Sequence, residues 1–466
     1  MFQSHGDITL ESMASGKIFR GPRGHWLRGC LREMQRDPLR LYSETRRDFG
    51  DYVRMRVVRG IDCYILTHPD AVEHVLHKGH KNYRKPDIFS KAVGLLVGDG
   101  LFTNEGDSWL SQRKLAQPAF HGHSIAQLCP LIVEATQAFV RDHETRAPEP
   151  MDMSAAMMKL GLRITSTTLF SADISGDADA IGRAFRIAFA HISDRLNSMQ
   201  IVPSWFPTHA NRTFVRAKKN LDDVVAELID SHHGNPDKPH DLLTMLLGAR
   251  DAETGKGMPE RLLMDEVLTL LTAGHENIGA ALTWTWYLLA LHQEVQANVY
   301  DELHGRLRGA SLTIDDVSHL PLLRAVFEEA MRIYPPGWGE LRETIGADQV
   351  QGYDIPAKAM IILCQWVTHR HPDFWEAPEQ FKPERFLPAQ ARDRHRFSYF
   401  PFGGGPRICI GMQLAMIEGS LVLATILQRF NVELVGDQVV VPDATFTLRP
   451  KYGLKVILKP RASAAP

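Results

Sequence analysis

At 466 residues the chain exceeds the usual domain, so length alone fits two or three domains or one unusually large one, and a 44% hydrophobic share is ample for a large core. Its 53 basic and 55 acidic side chains nearly cancel to a net charge of −2, which excludes a global pull toward nucleic acid or an anionic membrane. Five scattered cysteines (Cys30, Cys63, Cys129, Cys364, Cys409) are too few and odd in number for a disulfide framework, and point to a reducing compartment.

In chain order, residues 1–20 lack the apolar centre of a signal peptide, and no window approaches eighteen uninterrupted apolar residues, so a cytoplasmic protein without a membrane anchor is expected. Residues 31–49 carry a charged helical pattern that Gly50 and Asp51 stop. Residues 52–58 and 62–67 read as the strands of a hairpin. His68-Pro69-Asp70 opens a short helix ending near Gly79. The stretch 82–101, with Pro86, Gly94, Gly98 and Gly100, reads as a long loop of the functional kind. Trp109 and Arg113 stand four apart, so on one helix face an indole N–H and a guanidinium can converge on one carboxylate.

Helical patterns then cover 125–143, 151–169, 180–199 and 213–232, interrupted by the breaker 147–150 and the Pro- and aromatic-rich segment 202–207. His232, His233 and His240 fall in a Pro- and Gly-bearing run that reads as a solvated loop rather than a metal site, and 251–258 is a second loop. Residues 259 to about 291 form the longest helical pattern, enough to cross a whole domain. Inside it lies Ala273-Gly274-His275-Glu276-Asn277. A zincin is excluded there, because Gly279 stands where the second histidine is needed. Glu329 and Arg332, three apart, can pair on one helix face. Residues 350–355, 359–366, 432–434 and 452–458 read as strands, so the chain is mainly helical with minor β-sheets. The basic run 391–396 reads as a solvated loop, with a docking patch for an acidic electron donor as its alternative.

The stretch that organises the rest is Phe402-Gly403-Gly404-Gly405-Pro406-Arg407-Ile408-Cys409-Ile410-Gly411, which sets one thiol in a glycine-walled loop ahead of a helical pattern over 412–428. Glycines let the backbone pass close to something flat, Phe402 can cover the sulfur, and Arg407 offers a cation for an anionic group. A thiolate at a helix N-terminus is expected to have a lowered pKa and to suit a bound iron. A Walker loop is excluded, since its terminal Gly-Lys-Ser/Thr is missing, as is a dinucleotide fingerprint, since Ile408 stands where a further glycine is required. An isolated cysteine would more often be an inert buried thiol.

The spacing of Phe402, Gly405, Arg407, Cys409 and Gly411 resembles the haem-binding signature of the cytochrome P450 family, and further family elements recur in order along essentially the whole chain. The resemblance implies the mainly α P450 fold with minor β-sheets, as one haem domain over 1–466. Its β-containing part lies at about 50–70, 345–366 and 430–460. It implies haem b, iron protoporphyrin IX, with Cys409 as metal ligand and Trp109, Arg113, Arg342, Phe402, Arg407 and Gly411 as cofactor-binding residues. Residues 82–101 resemble the segment over the family's substrate pocket, making Ile88, Phe89, Val93, Leu95, Leu96 and Val97 candidate wall residues. Residues 202–207 resemble its mobile lid, the alternative being a loop of packed aromatics. Glu329, Arg332 and Arg385 match the structural Glu-Arg-Arg cluster.

On the long helix Ala273, Gly274, Glu276 and Asn277 match the family's oxygen-groove and proton-delivery element, except that Asn277 replaces the usual Thr. The activity implied is O2-dependent hydroxylation of a lipophilic small molecule such as a terpenoid or fatty acid. Nothing after Leu458 can hold a redox group, so electrons are expected from a ferredoxin or flavodoxin with an NAD(P)H-dependent reductase. Two alternatives stand beside this: an atypical P450 or peroxygenase in which Asn277 marks a different proton supply, and a haem-binding sensor without oxidation activity.

Overall fold

The computed structural model describes residues 17–198, 203, 205–232, 241–250, 255, 257–308, 310 and 312–461. The first helical pattern is two helices, Leu31–Arg36 and Pro38–Phe49. A proline lacks the N–H that a continuous helix needs, and Asp37 caps the second helix by accepting the Arg40 N–H at 3.0 Å. The expected hairpin forms from Tyr52–Val58 and Ile61–Leu66, paired antiparallel with a register shift between Arg56 and Val58.

The hairpin begins a five-stranded sheet that continues through Met360–Leu363 and Glu340–Thr344 to Tyr83–Arg84. Ile61–Leu66 and Met360–Leu363 run parallel, and every other neighbour is antiparallel. Pairing of Arg84 with Glu343 sets the next residue, Lys85, near Arg342. A second sheet joins Met151–Asp152, Lys455–Pro460 and Phe430–Leu434, and Pro442–Ala444 pairs with Leu448–Pro450 around a turn at 445–447.

The expected loop at 82–101 contains a helix, Asp87–Val97, started after the extended Pro86 and ended by Gly98 at φ +59°. Ala92, Val93, Leu96 and Val97 recur at helical spacing and are buried in the main core, against which the partly buried Leu95 also packs. Four of the six expected wall residues therefore hold the core together, and Ile88 and Phe89 alone of that set line the central cavity. The later helices, Gly122–Glu144, Met153–Phe170, Ala178–Ser198 and His209–Asp230, follow the pattern read from sequence.

Residues 199–202 and 204 lie outside the described residues, so of the segment expected as a lid, 202–207, only Pro203, Trp205, Phe206 and Pro207 are described. Trp205 is 78% exposed and Phe206 is exposed, so these two aromatics are not packed beneath a loop. His233 and His240 also lie outside the described residues, as do 251–254 and 256, while buried His232 shares a 2.8 Å hydrogen bond with Asp241. In the run 391–396, Arg394 turns inward over the Trp375 and Phe386 rings at 4.6 and 4.3 Å.

Glu260–Leu291 is a 32-residue helix, about 48 Å long at 1.5 Å per residue, and it runs through the core. It packs so closely on Met153–Phe170 that a Cβ on Gly274 would sit 2.6 Å from Thr165 Cγ2, and one on Gly279 2.7 Å from Met158 Sδ. These glycines let the two backbones approach. Among the described residues, no helix is long and apolar enough to cross a membrane.

Candidate active site

The loop at 402–411 is a backbone-bonded cradle. Cys409 N–H donates to Phe402 O at 2.9 Å, Ile408 N–H to Gly405 O at 3.1 Å and Gly403 N–H to Phe400 O at 3.0 Å. Gly405 has φ +63°, and a Cβ there would overlap the Leu76 carbonyl, so glycine is required. The loop ends at Gly411, which caps the helix Met412–Leu427, and the Cys409 thiol opens into a cavity of about 520 Å³.

The thiol departs from the expected lowered pKa. Burial pushes it up, and the Gly411 backbone hydrogen bond and the Arg113 charge only oppose that. The helix N-terminus is outweighed by depth, so an ionised sulfur here calls for a cation in the cavity.

The long helix faces this thiol with one stripe. It is buried along most of its length, yet Ala273 is exposed and Gly274 and Asn277 partly so, and all three line the cavity with Leu270, Ile278 and Ala281. The spacing is that of one helical face. Glu276 falls off that face: it is buried, is not among the cavity-lining residues, accepts from Thr447 Oγ1 at 2.6 Å and has Arg449 at 3.6 Å. His275 also turns away, bonded to Leu271 O at 2.7 Å and packed on Phe185. Of the four residues read from this element, Ala273, Gly274 and Asn277 meet Cys409 across the cavity and Glu276 stands behind them.

Cations gather at the cavity's edge. Arg113 donates to Ile408 O at 2.8 Å. Arg342 donates to Glu340 at 2.7 Å and to Leu341 O at 2.9 Å. Arg407 donates to Glu105 at 2.5 Å and to Asn104 O at 2.8 Å, with its guanidinium 3.8 Å over the Trp109 ring. Lys85 donates to Phe102 O from the same edge. Burial and the neighbouring Arg342 and Arg407 hold Lys85 down to about 7, and burial brings Arg407 to about 10.

Three arginines and a Lys85 that is only partly protonated near pH 7 thus stand against the two carboxylates of Glu105 and Glu340. Each arginine leaves guanidinium N–H groups without a protein acceptor among the described residues. A second cavity, of about 320 Å³, meets the other side of Trp109, Arg342 and Arg407. A flat anionic group held by sulfur fits this arrangement: the cavity reaches Cys409, small residues face it, and its rim carries surplus positive charge with free donors. The haem implied by the resemblance is such a group.

Sequence reasoning named Phe89 but missed the rest of the wall beyond the helix. Phe89, Phe102, Phe446 and Phe189 form a chain of ring contacts at 5.8, 6.3 and 5.0 Å, of which the first three line the cavity. Ser193, Thr445 and Thr447 also line it. Glu105, Glu340 and Lys85 were missed as well, and only the strand register and the approach of 104–105 to Arg407 reveal them.

Comparisons with known proteins agree with one another. Residues 19–458 match the family model described as cytochrome P450. The chain is 34% identical over 383 residues to cyclooctat-9-en-7-ol 5-monooxygenase of Streptomyces melanosporofaciens, covering 82% of each. It is 28% identical over 435 residues to pentalenene oxygenase of Streptomyces avermitilis, covering 92% of this chain and 94% of the relative. Among solved structures, the retinoic acid-bound cyanobacterial CYP120A1 superposes with a TM-score of 0.86 at 25% identity, over 96% of this chain and 100% of that one.

Proposed function

The chain belongs to the cytochrome P450 family and is a haem-dependent monooxygenase that oxidises a lipophilic molecule with O2 and electrons from redox partners, and on that premise we propose that its substrate is a cyclic terpenoid. The observation that carries this reading is the cavity of about 520 Å³, in which the cations cluster at one edge and the aromatic side chains of Phe89, Phe102 and Phe446 run on from it as an apolar wall, Phe102 beside Lys85. A fatty acid would compete with the cofactor's anionic edge for those cations, whereas a terpenoid needs only the apolar wall. The two Streptomyces relatives named for terpenoid substrates support the same choice.

The proposed cofactor is iron protoporphyrin IX in one domain over 1–466, with Cys409 as its ligand and Trp109, Arg113, Arg342, Phe402, Arg407 and Gly411 around it. Bound there, its iron would supply O2 activation for oxygen insertion into a C–H bond. Gly411 N–H and Arg113 favour the negatively charged sulfur, while Arg113, Arg342 and Arg407 neutralise an anionic edge. Ala273 and Gly274 leave room opposite the sulfur. Asn277 holds water or substrate by its amide, and Glu276 must leave Thr447 before it can turn to the cavity. A ferredoxin or flavodoxin with an NAD(P)H-dependent reductase is the proposed electron source and the cytoplasm the proposed compartment, which the absence of disulfides among the described cysteines supports.

The test is a Soret titration of the ferric protein with cyclic terpenoids and long-chain fatty acids. A saturable spin-state shift with terpenoids alone is expected, and one with fatty acids alone overturns the substrate class. A second reading, peroxide-driven oxidation, is favoured by the missing Thr hydroxyl at Asn277. Peroxide-driven turnover equal to the reductase-driven rate would establish it.

A further inference from the structure

Most hydroxyls of the buried helices are already engaged. Thr136, Thr168, Thr283, Thr285, Ser420 and Thr425 each donate to the carbonyl four residues earlier, at 2.6–2.8 Å. In the cavity wall, Thr269 does the same to Asp265 O, Thr445 donates to Thr447 O and Thr447 to Glu276. Ser193 differs. It is 8% exposed, lines the cavity on the Ala178–Ser198 helix one turn beyond Phe189, and its hydroxyl has no hydrogen-bond partner among the described residues.

The second open polar group is on the stripe opposite Cys409. The Asn277 side-chain N–H donates to Ala273 O at 3.2 Å, the amide orientation that meets a backbone acceptor, and its Oδ1 then receives no donor among the described residues. The helices carrying these two groups touch through Phe185 and His275, with ring centroids 4.4 Å apart. Beside these two groups the wall carries the hydrocarbon side chains of Phe89, Leu101, Phe102, Leu270, Ile278 and Phe446.

From this geometry we infer that Ser193 and Asn277 form a polar handle, and that the substrate is a terpenoid already carrying a hydroxyl group. A substrate hydroxyl can donate to Asn277 Oδ1 and oxygen on the skeleton can accept from Ser193, whereas a bare hydrocarbon strips water from both groups and returns nothing. A carboxylate offers no donor to Asn277 Oδ1, so an acid is the poorer match. The reaction that supplies this substrate is then one that puts oxygen on the skeleton, such as water capture during cyclisation or an earlier hydroxylation. The inference rests on the terpenoid reading above.

The test compares the sesquiterpene alcohol cedrol with its parent hydrocarbon cedrane, by Soret titration of the haem-loaded ferric protein and of its Ser193→Ala/Asn277→Val variant. The variant's CO-difference spectrum serves as the check that it is folded. In the unaltered protein the alcohol is expected to bind about tenfold to a hundredfold tighter. In the variant that ratio collapses to about one through weaker binding of the alcohol. Equal affinities in the unaltered protein, or an unchanged ratio in the variant, overturn the handle and leave the terpenoid reading standing. No shift with either compound beside a saturable shift with a long-chain fatty acid removes the terpenoid reading and the handle together. Should the double variant lose haem, Ser193→Ala alone replaces it, with the same ratio as the readout.

Discussion

Two groups of arginines in this molecule differ in one physical respect. Arg332 is fully buried and all five of its N–H donors have acceptors: both Glu329 oxygens at 2.7 and 2.8 Å, His369 O at 2.9 Å, Pro378 O at 2.8 Å and Gln380 O at 3.2 Å. Glu329 in turn accepts the Lys382 N–H at 2.9 Å and has Arg385 at 3.4 Å. Arg113, Arg342 and Arg407 each leave donors open toward the cavity. A saturated ion pair fixes geometry; an unsaturated cation awaits an anion that the chain itself does not provide.

The contrast breaks most sharply at Arg332. Arg332→Ala leaves buried Glu329 with only the Lys382 N–H and Arg385 beside it and strips the bidentate pair, with an expected loss of about 3–5 kcal/mol and little soluble protein, and Arg332→Lys does scarcely better because an ammonium cannot make that pair. A thermal melt within a few degrees of the unaltered protein would show that saturation is not what matters. The opposite outcome is expected for Arg342→Ala with Arg407→Ala. The fold persists, but haem transfers to apomyoglobin faster, at about 1.5–3 kcal/mol of lost binding per arginine. If the fold is lost instead, the rim is structural.

Carboxylates sharpen the same comparison. Glu418 is buried on the cavity side of the Met412–Leu427 helix, its Oε1 has no partner, and burial pushes its pKa up to about 8. A carboxyl whose folded pKa lies above its unfolded value favours the protonated native state. Its stability contribution is complete below about pH 4.5 and is lost as pH rises through about 8. Glu418→Gln is therefore expected to stabilise the protein by up to about 5 kcal/mol at pH 9 and not at all at pH 4, read from melting temperatures across that range. A gain that does not change with pH would count against the buried acid. The smallest effect belongs to the exposed pair Arg40 and Glu44 at 2.8 Å, where Glu44→Ala is expected to leave the melting temperature unchanged within error.

Legibility in the sequence followed distance along the chain. The thiol loop, the Trp109 and Arg113 spacing, the Glu329 and Arg332 pair and the long helix each lie within a few residues or a single periodic run, and each takes the local backbone form read from it, although Arg113 donates to Ile408 O rather than sharing a carboxylate with Trp109. The helix at 87–97 was readable from Ala92, Val93, Leu96 and Val97, but Pro86, Gly94 and Gly98 suggested loop punctuation. Gly94 sits inside the helix, and Pro86 and Gly98 bound it. Glu276 shows the other limit. Its position in the motif was plain, yet the helix's rotation against the Met153–Phe170 helix sends it to Thr447 and Arg449 instead of the cavity.

By itself the sequence determined the mainly helical class, the family, the thiol loop and the glycines in it, because dihedral limits and side-chain periodicity act between near neighbours in the chain. Only the tertiary structure decided which face of the long helix meets Cys409, that Ser193 and Phe446 join the wall, and that Glu105 and Glu340 leave the rim cationic. Those outcomes depend on helix rotation, strand register and close packing between segments tens to hundreds of residues apart, and no local spacing encodes them.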